Sequence, residues 1–366
     1  MSEAIATIKT LVSSLRSDFV DAFDSREKLH LLKPKTKLKD STPAAELIKL
    51  SQIIKAQTTK IGIISHPAKF HANLDAAGKE LKEFSNTIFF LVSLVPLFYQ
   101  GKFPKYFIDL LDSNILGLLN GVSGFCDDLD QLVSSHNAMN SSDITPGPST
   151  QDEDDSSGST RLLSVGKIWA SCDLLNDIGT NGNLGLLNKR IQISAKLVTD
   201  TLNELEEWLV EPHVETDDPF GIGSGSEDEE NELEDEDNDA GLGESVPPGL
   251  IGYVQKWQNK LKMIRLLLSS FSKSIASNDY KGKEPSAQQL DKLNDLHALI
   301  VEETDELIST TFMAGQDFDA DDDEIIELAS NLNTTVRQMV QIIKNLNKSD
   351  EKKGKWIQVW DTKYFS

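Results

Sequence analysis

The chain has 366 residues and a formal net charge of −23, and its acidic residues are unevenly distributed. Residues 197–255 hold 19 acidic side chains and no lysine or arginine, which leaves 40 acidic against 36 basic residues elsewhere. Nucleic acid is a poor partner for such a chain, because phosphate binding needs a concentrated basic face. Two cysteines, Cys126 and Cys172, both lie on predicted buried helix faces and are too few for a disulfide scaffold or a cysteine-based metal site.

The N-terminus lacks the basic start and apolar core of a signal peptide. We therefore expect the protein in the cytoplasm and the nucleus, with reduced thiols.

The first hundred residues have the periodicity of amphipathic helices. The first helix has apolar residues at Ile5, Ile8, Val12, Leu15, Phe19 and Phe23. Thr42 and Pro43 predict the start of a second helix, since proline at the first helical position sacrifices no hydrogen bond. This helix should end near Ser65, because His66 precedes a proline. A third helix has apolar residues at Leu74, Leu81, Phe84, Ile88, Leu91 and Val95.

The third helix runs into a nearly continuous apolar stretch at residues 88–99. A membrane span needs about 20 such residues, so we expect no membrane partner and place this stretch in the core. A long helix then follows through Phe107 to Leu132, apolar on more than one face. Its glycines Gly117, Gly121 and Gly124 predict a close approach to a neighbouring helix.

Residues 137–160 are rich in Ser, Asp, Pro and Gly and predict a disordered insert. Two apolar stripes follow it, with a turn at Asn181-Gly182 between them. The first stripe comprises Leu162, Val165, Trp169, Cys172 and Leu175. The second comprises Leu184, Leu187, Ile191, Ala195, Val198, Leu202, Leu205 and Leu209.

The C-terminal third contains three more amphipathic helices and a short apolar tail at residues 356–365. The helices should lie at about 253–275, 290–311 and 325–346. No run has the alternation of a strand, so the predicted fold class is all-α.

The division of the chain follows from its acidic tract, residues 213–246, which we expect to be a disordered linker. Residues 1–212 and 247–366 should then form two antiparallel helical bundles. Three helices are few for a closed bundle, so we expect the second to borrow a helix from the first.

One segment carries a family resemblance. Val165-Gly-Lys-Ile-Trp169-Ala-Ser-Cys172 resembles the (S)-x-x-(V/I)-W-x-(A/S)-C segment of the cyclin-D-binding protein family. In that family an acidic helix follows, then an Asp-Pro-aromatic step and an acid-rich loop. Here these are Val198–Trp208, Asp218-Pro219-Phe220 and residues 227–239.

The resemblance implies helical bundles like those of talin, vinculin and α-catenin. It also implies a non-enzymatic interaction protein of the D-type-cyclin-interacting, Id-like class, which restrains cell-cycle progression. Its partners would be cyclins or helix-loop-helix transcription regulators. The bundle architecture alone suggests an alternative, a cytoskeletal or scaffold adaptor.

The sequence contains no convincing catalytic, metal-binding or cofactor-binding pattern. Asp317, Asp319, Asp321 and Asp323 mimic an EF-hand calcium loop. However, position six is Asp322 instead of the required glycine, and position twelve is Leu328 instead of glutamate. An acidic first turn at the positive end of a helix explains the run better. We expect no enzyme, no metal and no cofactor.

The acidic tract contains two candidate phosphorylation sites, Ser224 and Ser226. Each has a glutamate three residues downstream, which suits an acid-directed kinase, and phosphates there would deepen the negative charge. The alternative is a solubilising linker with no specific role.

Trp169 has two interpretations. Its apolar stripe predicts a buried anchor between bundle helices, since tryptophan is highly buried on average. The alternative is an exposed docking point for a partner.

Overall fold

The computed structural model describes residues 2–35, 37–141, 155–213, 246–277 and 284–366. Within these ranges the structure contains helices and no strand, so the predicted all-α class is confirmed. None of the described helices is both long and apolar enough to cross a membrane. The α-helices are α1 (Ser2–Leu15), α2 (Arg26–His30), α3 (Pro43–Ile64), α4 (Pro67–Phe70), α5 (Leu74–Leu94), α6 (Lys105–Ser141), α7 (Asp155–Val210), α8 (Pro248–Ser277), α9 (Ala287–Met313), α10 (Asp323–Leu346) and α11 (Glu351–Phe365).

The second predicted helix has the expected ends. The Thr42 side-chain oxygen accepts a hydrogen bond from the Ala45 amide at 3.2 Å, and Pro43 opens α3. Ser65 caps its C-terminus just before His66 and Pro67.

The turn predicted at Asn181-Gly182 is a local break inside α7. Gly182 has φ 58° and ψ −166°, a left-handed φ that favours glycine, and helical geometry resumes after it. α7 therefore consists of two helical halves, one on each side of Gly182.

The contacts divide the chain into two compact units. Unit 1 comprises residues 1–186 with 286–288, and unit 2 comprises residues 187–285 with 289–366. The sequence predicted a boundary at residue 212, so the observed division lies earlier, within α7. The difference arises because residues 187–210 bury their stripe against the C-terminal helices.

Unit 1 packs α3 and α1 against α5, and α1 against α6. A π-helical turn, Arg16–Val20, extends α1. Arg16 at its start forms ion pairs with Asp127 at 2.7 Å and Asp130 at 3.0 Å on α6. The core is apolar and aromatic, with Phe70, Phe84, Phe98, Phe107 and Phe125 fully buried.

Unit 2 is built from the second half of α7 and from α8 to α11. Asn188 of α7 accepts a hydrogen bond from Ser272 of α8. Trp208 of α7 contacts Phe312 of α9, with ring centroids 5.1 Å apart. The second bundle thus contains the additional helix that three C-terminal helices alone would lack.

The C-terminal tail is a helix, α11, which the sequence analysis missed. Ile357, Trp360 and Tyr364 are buried and follow helical spacing. Trp360 donates its indole N–H to the Met263 carbonyl of α8 at 2.9 Å, so this helix closes unit 2.

The two flanks of the insert predicted at residues 137–160 are helical, at 137–141 and at 155–160. α6 continues to Ser141 and α7 begins at Asp155, so the expectation of disorder is wrong for these flanks. Residues 142–154 and nearly all of the acidic tract, residues 214–245, lie outside the described residues.

Candidate functional site

The motif segment at 165–172 lies in the first half of α7, where the buried side chains follow helical spacing. Val165, Ile168, Cys172 and Leu175 are all buried. Trp169 is 36% exposed, so the predicted buried anchor is wrong. Trp169 follows Ile168 by one residue, which rotates it by about 100° around the helix. Ile168 therefore occupies the core position that we had assigned to Trp169.

Glycines of α6 allow this half of α7 to pack very close to α6. A Cβ atom at Gly117 would lie 3.3 Å from the Ser171 hydroxyl, and one at Gly124 would lie 3.0 Å from the Ser164 hydroxyl. The predicted close approach at the α6 glycines is therefore confirmed. It fixes the rotation of α7 about its own axis.

α3 supports the same half of α7 from another side. Arg161 donates to the Gly62 carbonyl at 2.7 Å, and Lys55 pairs with Asp173 at 2.6 Å. Because both ends of this segment are held, its outward-facing side chains lie on a fixed backbone.

The outward side of this segment carries several exposed apolar side chains. We name Leu162, Leu163, Trp169 and Leu174 the α7 outer face; Leu162 and Leu163 are 62% and 59% exposed. Ile63, next to the Gly62 that binds Arg161, is also exposed. Apolar side chains grouped on a rigid surface are typical of protein-interaction sites.

Two phenylalanines of α5 depart from the expectation for the apolar stretch 88–99. Phe89 and Phe90 are 55% and 58% exposed, and their ring centroids lie 5.8 Å apart. The expectation of full burial is wrong for these two residues. An apolar run lacks the polar positions that would show which side of the helix faces solvent.

The other motif and modification residues cannot be placed. Asp218, Pro219 and Phe220 lie outside the described residues, as do Ser224 and Ser226. Of the family-motif residues, the structure therefore places Trp169 and Cys172.

Both cysteines are buried thiols in unit 1, as predicted. Burial raises the pKa of Cys126 and of Cys172 to about 12. Nucleophilic cysteine chemistry needs a thiolate, and these thiols stay protonated at neutral pH.

A Ser–His pair that the sequence analysis did not identify occurs in unit 2. The Ser194 hydroxyl lies 2.8 Å from His297 Nδ1, and both side chains are buried. Burial, and then the charge of Arg190, lower the His297 pKa to about 4. The histidine is therefore neutral, and the buried hydroxyl does not face a solvent-borne substrate.

Unit 1 also contains a buried carboxylate network that no sequence pattern predicted. Tyr99 donates to Asp112 Oδ1 at 2.6 Å, and His30 Nε2 lies 2.7 Å from Asp112 Oδ2. Asp112 is 1% exposed, so both oxygens depend on these partners. Burial, and then Asp112, raise the pKa of Tyr99. The network links α2, α6 and the chain after α5.

Asp322, at position six of the run that mimics an EF-hand loop, caps α10, and Asp319 stabilises the turn before the helix. Asp322 Oδ1 accepts from the Glu324 amide at 2.8 Å, and Asp319 Oδ1 accepts from the Asp321 amide at 2.9 Å. Across the described ranges, no group of three or more His, Cys, Asp or Glu side chains could hold a metal ion.

Comparisons with known proteins cover nearly the whole chain. Two family profiles match, described as Grap2 and cyclin-D-interacting, N-terminal, over residues 46–211, and C-terminal, over residues 227–341. A Saccharomyces cerevisiae protein named "Uncharacterized protein YLR287C" is 32% identical over 357 residues, which cover 97% of this chain and 94% of the relative. No solved structure matches the chain, so the likeness to talin and vinculin stays a prediction.

Proposed function

The chain belongs to the Grap2 and cyclin-D-interacting family, and on that premise we propose that it is a non-enzymatic protein-interaction module that binds a cyclin-type partner. Through that partner it would regulate cell-cycle progression. A helix-loop-helix transcription regulator is the other partner class that the family resemblance implies.

The α7 outer face is the observation that supports this proposal. Its Trp169 lies in the family motif, and Leu162 and Leu163, just before the motif, are more than half exposed on a helix held by both α3 and α6. A rigid helix loses little conformational entropy on binding, so the apolar area of the face is available for affinity.

The burial of the reactive side chains supports a non-enzymatic role. Cys126 and Cys172 are protonated and buried, and the Ser194–His297 pair has no exposed nucleophile. Nothing in these groups favours catalysis over packing.

We place this activity in the cytoplasm and the nucleus, where cyclins and transcription regulators act. The loop containing Lys33, Lys35, Lys37 and Lys39 offers a short basic run. A solvated loop is a better interpretation of that run than a nuclear localisation patch, because short basic runs are common by chance.

Direct binding to a purified D-type cyclin tests the proposal. The full chain, immobilised for biolayer interferometry, should bind the cyclin. The Leu162→Ser/Leu163→Ser double variant should bind at least about tenfold more weakly, because apolar anchors dominate interface energy. Its melting temperature should stay close to that of the wild type, since both side chains are mostly exposed.

Leu266→Ser on α8 is the matched control, because Leu266 is 50% exposed and belongs to unit 2. Absence of cyclin binding by the wild-type chain would overturn the proposed partner. Equal binding by the double variant would move the site away from the α7 outer face. Co-sedimentation with actin filaments, without cyclin binding, would favour the adaptor alternative.

A further inference from the structure

α8 differs in charge from the rest of this acidic chain. Between Pro248 and Ser277 it carries five basic residues and no acidic residue, although the chain has a net charge of −23. The basic residues are Lys256, Lys260, Lys262, Arg265 and Lys273. A helix with this bias in an acidic protein concentrates positive potential at one place.

Three cations converge on a cavity between α8 and α10. The cavity has a volume of about 440 Å³, and its lining includes Lys256, Lys260 and Arg337. Ser330, Asn333 and Thr334 add neutral hydrogen-bonding groups from α10. Within the part of the chain that the structure describes, none of the three cations forms an ion pair with a carboxylate.

Neutral groups hold two of these cations in place. Lys260 Nζ donates to Asn333 Oδ1 at 3.1 Å and lies 5.4 Å from the Trp257 ring centroid and 4.6 Å from that of Tyr364. The Arg337 guanidinium lies 3.8 Å from the Phe365 ring centroid. Aromatic faces and an amide orient a cation without neutralising it, so the positive charge of the cavity is preserved.

The arrangement is electrostatically unfavourable when the cavity holds no anion. Lys256 and Lys260 are one helical turn apart, where like charges repel. Burial, and then the charge of Lys256, lower the pKa of Lys260. A bound anion would relieve this repulsion, and the relief would add to its affinity.

Two carboxylates adjoin the cavity lining in sequence. Ala320 lines the cavity and is flanked by Asp319 and Asp321, whereas Lys260 and Asn333 meet further along the chain, on α10. An extended polyacidic segment would pass these aspartates and be repelled. A compact dianion placed between Lys260 and Arg337 would avoid them.

We propose that the cavity between α8 and α10 binds a phosphate monoester carried on a protein segment, such as a phosphoserine side chain. The dianion would be held by Lys256, Lys260 and Arg337, with hydrogen bonds from the neutral groups of α10. Ile326, half exposed at the cavity, offers apolar contact to the residues that flank the phosphate. A free small phosphate would leave that contact unused. This site is independent of the α7 outer face.

Isothermal titration calorimetry on the full unphosphorylated chain tests the proposal. The probe is a short synthetic peptide of alanine, glycine and isoleucine with one central phosphoserine, compared with the same peptide without phosphate. The phosphopeptide should bind, and the unmodified peptide should bind at least about tenfold more weakly, because charged hydrogen bonds are lost. Equal binding of the two peptides would overturn the proposal, as would no binding of the phosphopeptide.

The variants separate a specific site from a general positive field. Lys256→Gln should weaken phosphopeptide binding about tenfold. Because the Lys256 side chain is exposed, this variant should fold like the wild type. Arg265→Gln removes one charge from the same helix, is exposed, and does not line the cavity, so it should change affinity less than about twofold. Equal losses of phosphopeptide affinity in both variants would show that the helix attracts the peptide only through its general positive charge, and would overturn the proposed site. Inorganic phosphate binding as tightly as the phosphopeptide would overturn the protein-segment assignment.

Discussion

Gly121 packs against Ile168 and leaves less room for a Cβ atom than Gly117 or Gly124, the other two glycines of α6. A Cβ atom built on Gly121 would lie 2.8 Å from Ile168 Cγ1 and 3.2 Å from the Ile168 backbone nitrogen. The side-chain atom could rotate away, but the backbone nitrogen could move only with the whole helix. This glycine therefore sets the distance at which the motif helix packs.

Gly121→Ala should destabilise unit 1. Overpacking costs about 1–3 kcal/mol, against a gain of up to about 1 kcal/mol in helix propensity. Gly166→Ala on α7 is the control, since nothing lies within 4 Å of its added Cβ, and it should stabilise. Urea unfolding of both full-length variants measures the difference, and a stabilised Gly121→Ala variant would contradict the packing described.

Cys126 and Cys172 should resist alkylation in the folded protein. Both are buried thiols with pKa raised to about 12, so almost no thiolate is present at pH 8. Iodoacetamide labelling followed by mass spectrometry should detect no modification in buffer and two in urea. Because the chain has two cysteines and both belong to unit 1, labelling reports the opening of that unit. Rapid labelling of either thiol in buffer would show that its helix opens easily.

Unit 2 should lose stability as the pH falls below the ordinary pKa of histidine. His297 has a pKa of about 4 in the fold against 6.5 unfolded, so protonation favours the unfolded chain. The stabilisation is complete above pH 6.5 and is lost as the pH falls towards 4. Between pH 7 and pH 5 the loss should be about 2 kcal/mol.

His297→Gln should flatten this dependence, because glutamine does not titrate and can still bond Ser194. Urea midpoints at pH 7 and pH 5, followed by tryptophan fluorescence, measure the effect, since Trp208, Trp257, Trp356 and Trp360 all lie in unit 2. An equal pH dependence in wild type and variant would assign it to other groups, such as Glu303, whose pKa is raised by burial.

Tyr99→Phe should cost more stability than His30→Gln, although both contact Asp112. Tyr99 is partly buried, and removing its hydroxyl leaves Oδ1 of the fully buried Asp112 without that donor, at about 1–3 kcal/mol. The His30 side chain is 51% exposed, so water can replace it at the other oxygen. Urea unfolding of the two variants gives the comparison, and a greater cost for His30→Gln would reverse the ranking.

The parts of the fold that the sequence predicted are those determined by local patterns. Thr42, Pro43 and the break at Gly182 were predictable because capping and glycine geometry act within a few residues. The burial of Cys126 and Cys172 followed from helical spacing.

The remaining features depend on contacts between distant residues. His30 and Asp112 are 82 positions apart, and no spacing rule links them. Phe89 and Trp169 each stand next to other apolar residues in the sequence. Helical periodicity therefore does not show whether their side chains are buried or exposed. The cavity at Lys260 needs α10 as its second wall, which the pattern of α8 alone does not reveal.

The division inside α7 has a consequence during protein synthesis. The stripe from Leu187 to Leu205 leaves the ribosome before its packing partners, and Phe312 follows Trp208 by about a hundred residues. At about 5–20 residues per second, this apolar face stays uncovered for roughly 5–20 seconds. The next residues to emerge are the acidic tract, whose charge discourages association between nascent chains. The acidic tract can therefore reduce aggregation of the nascent chain while the apolar face of α7 is uncovered.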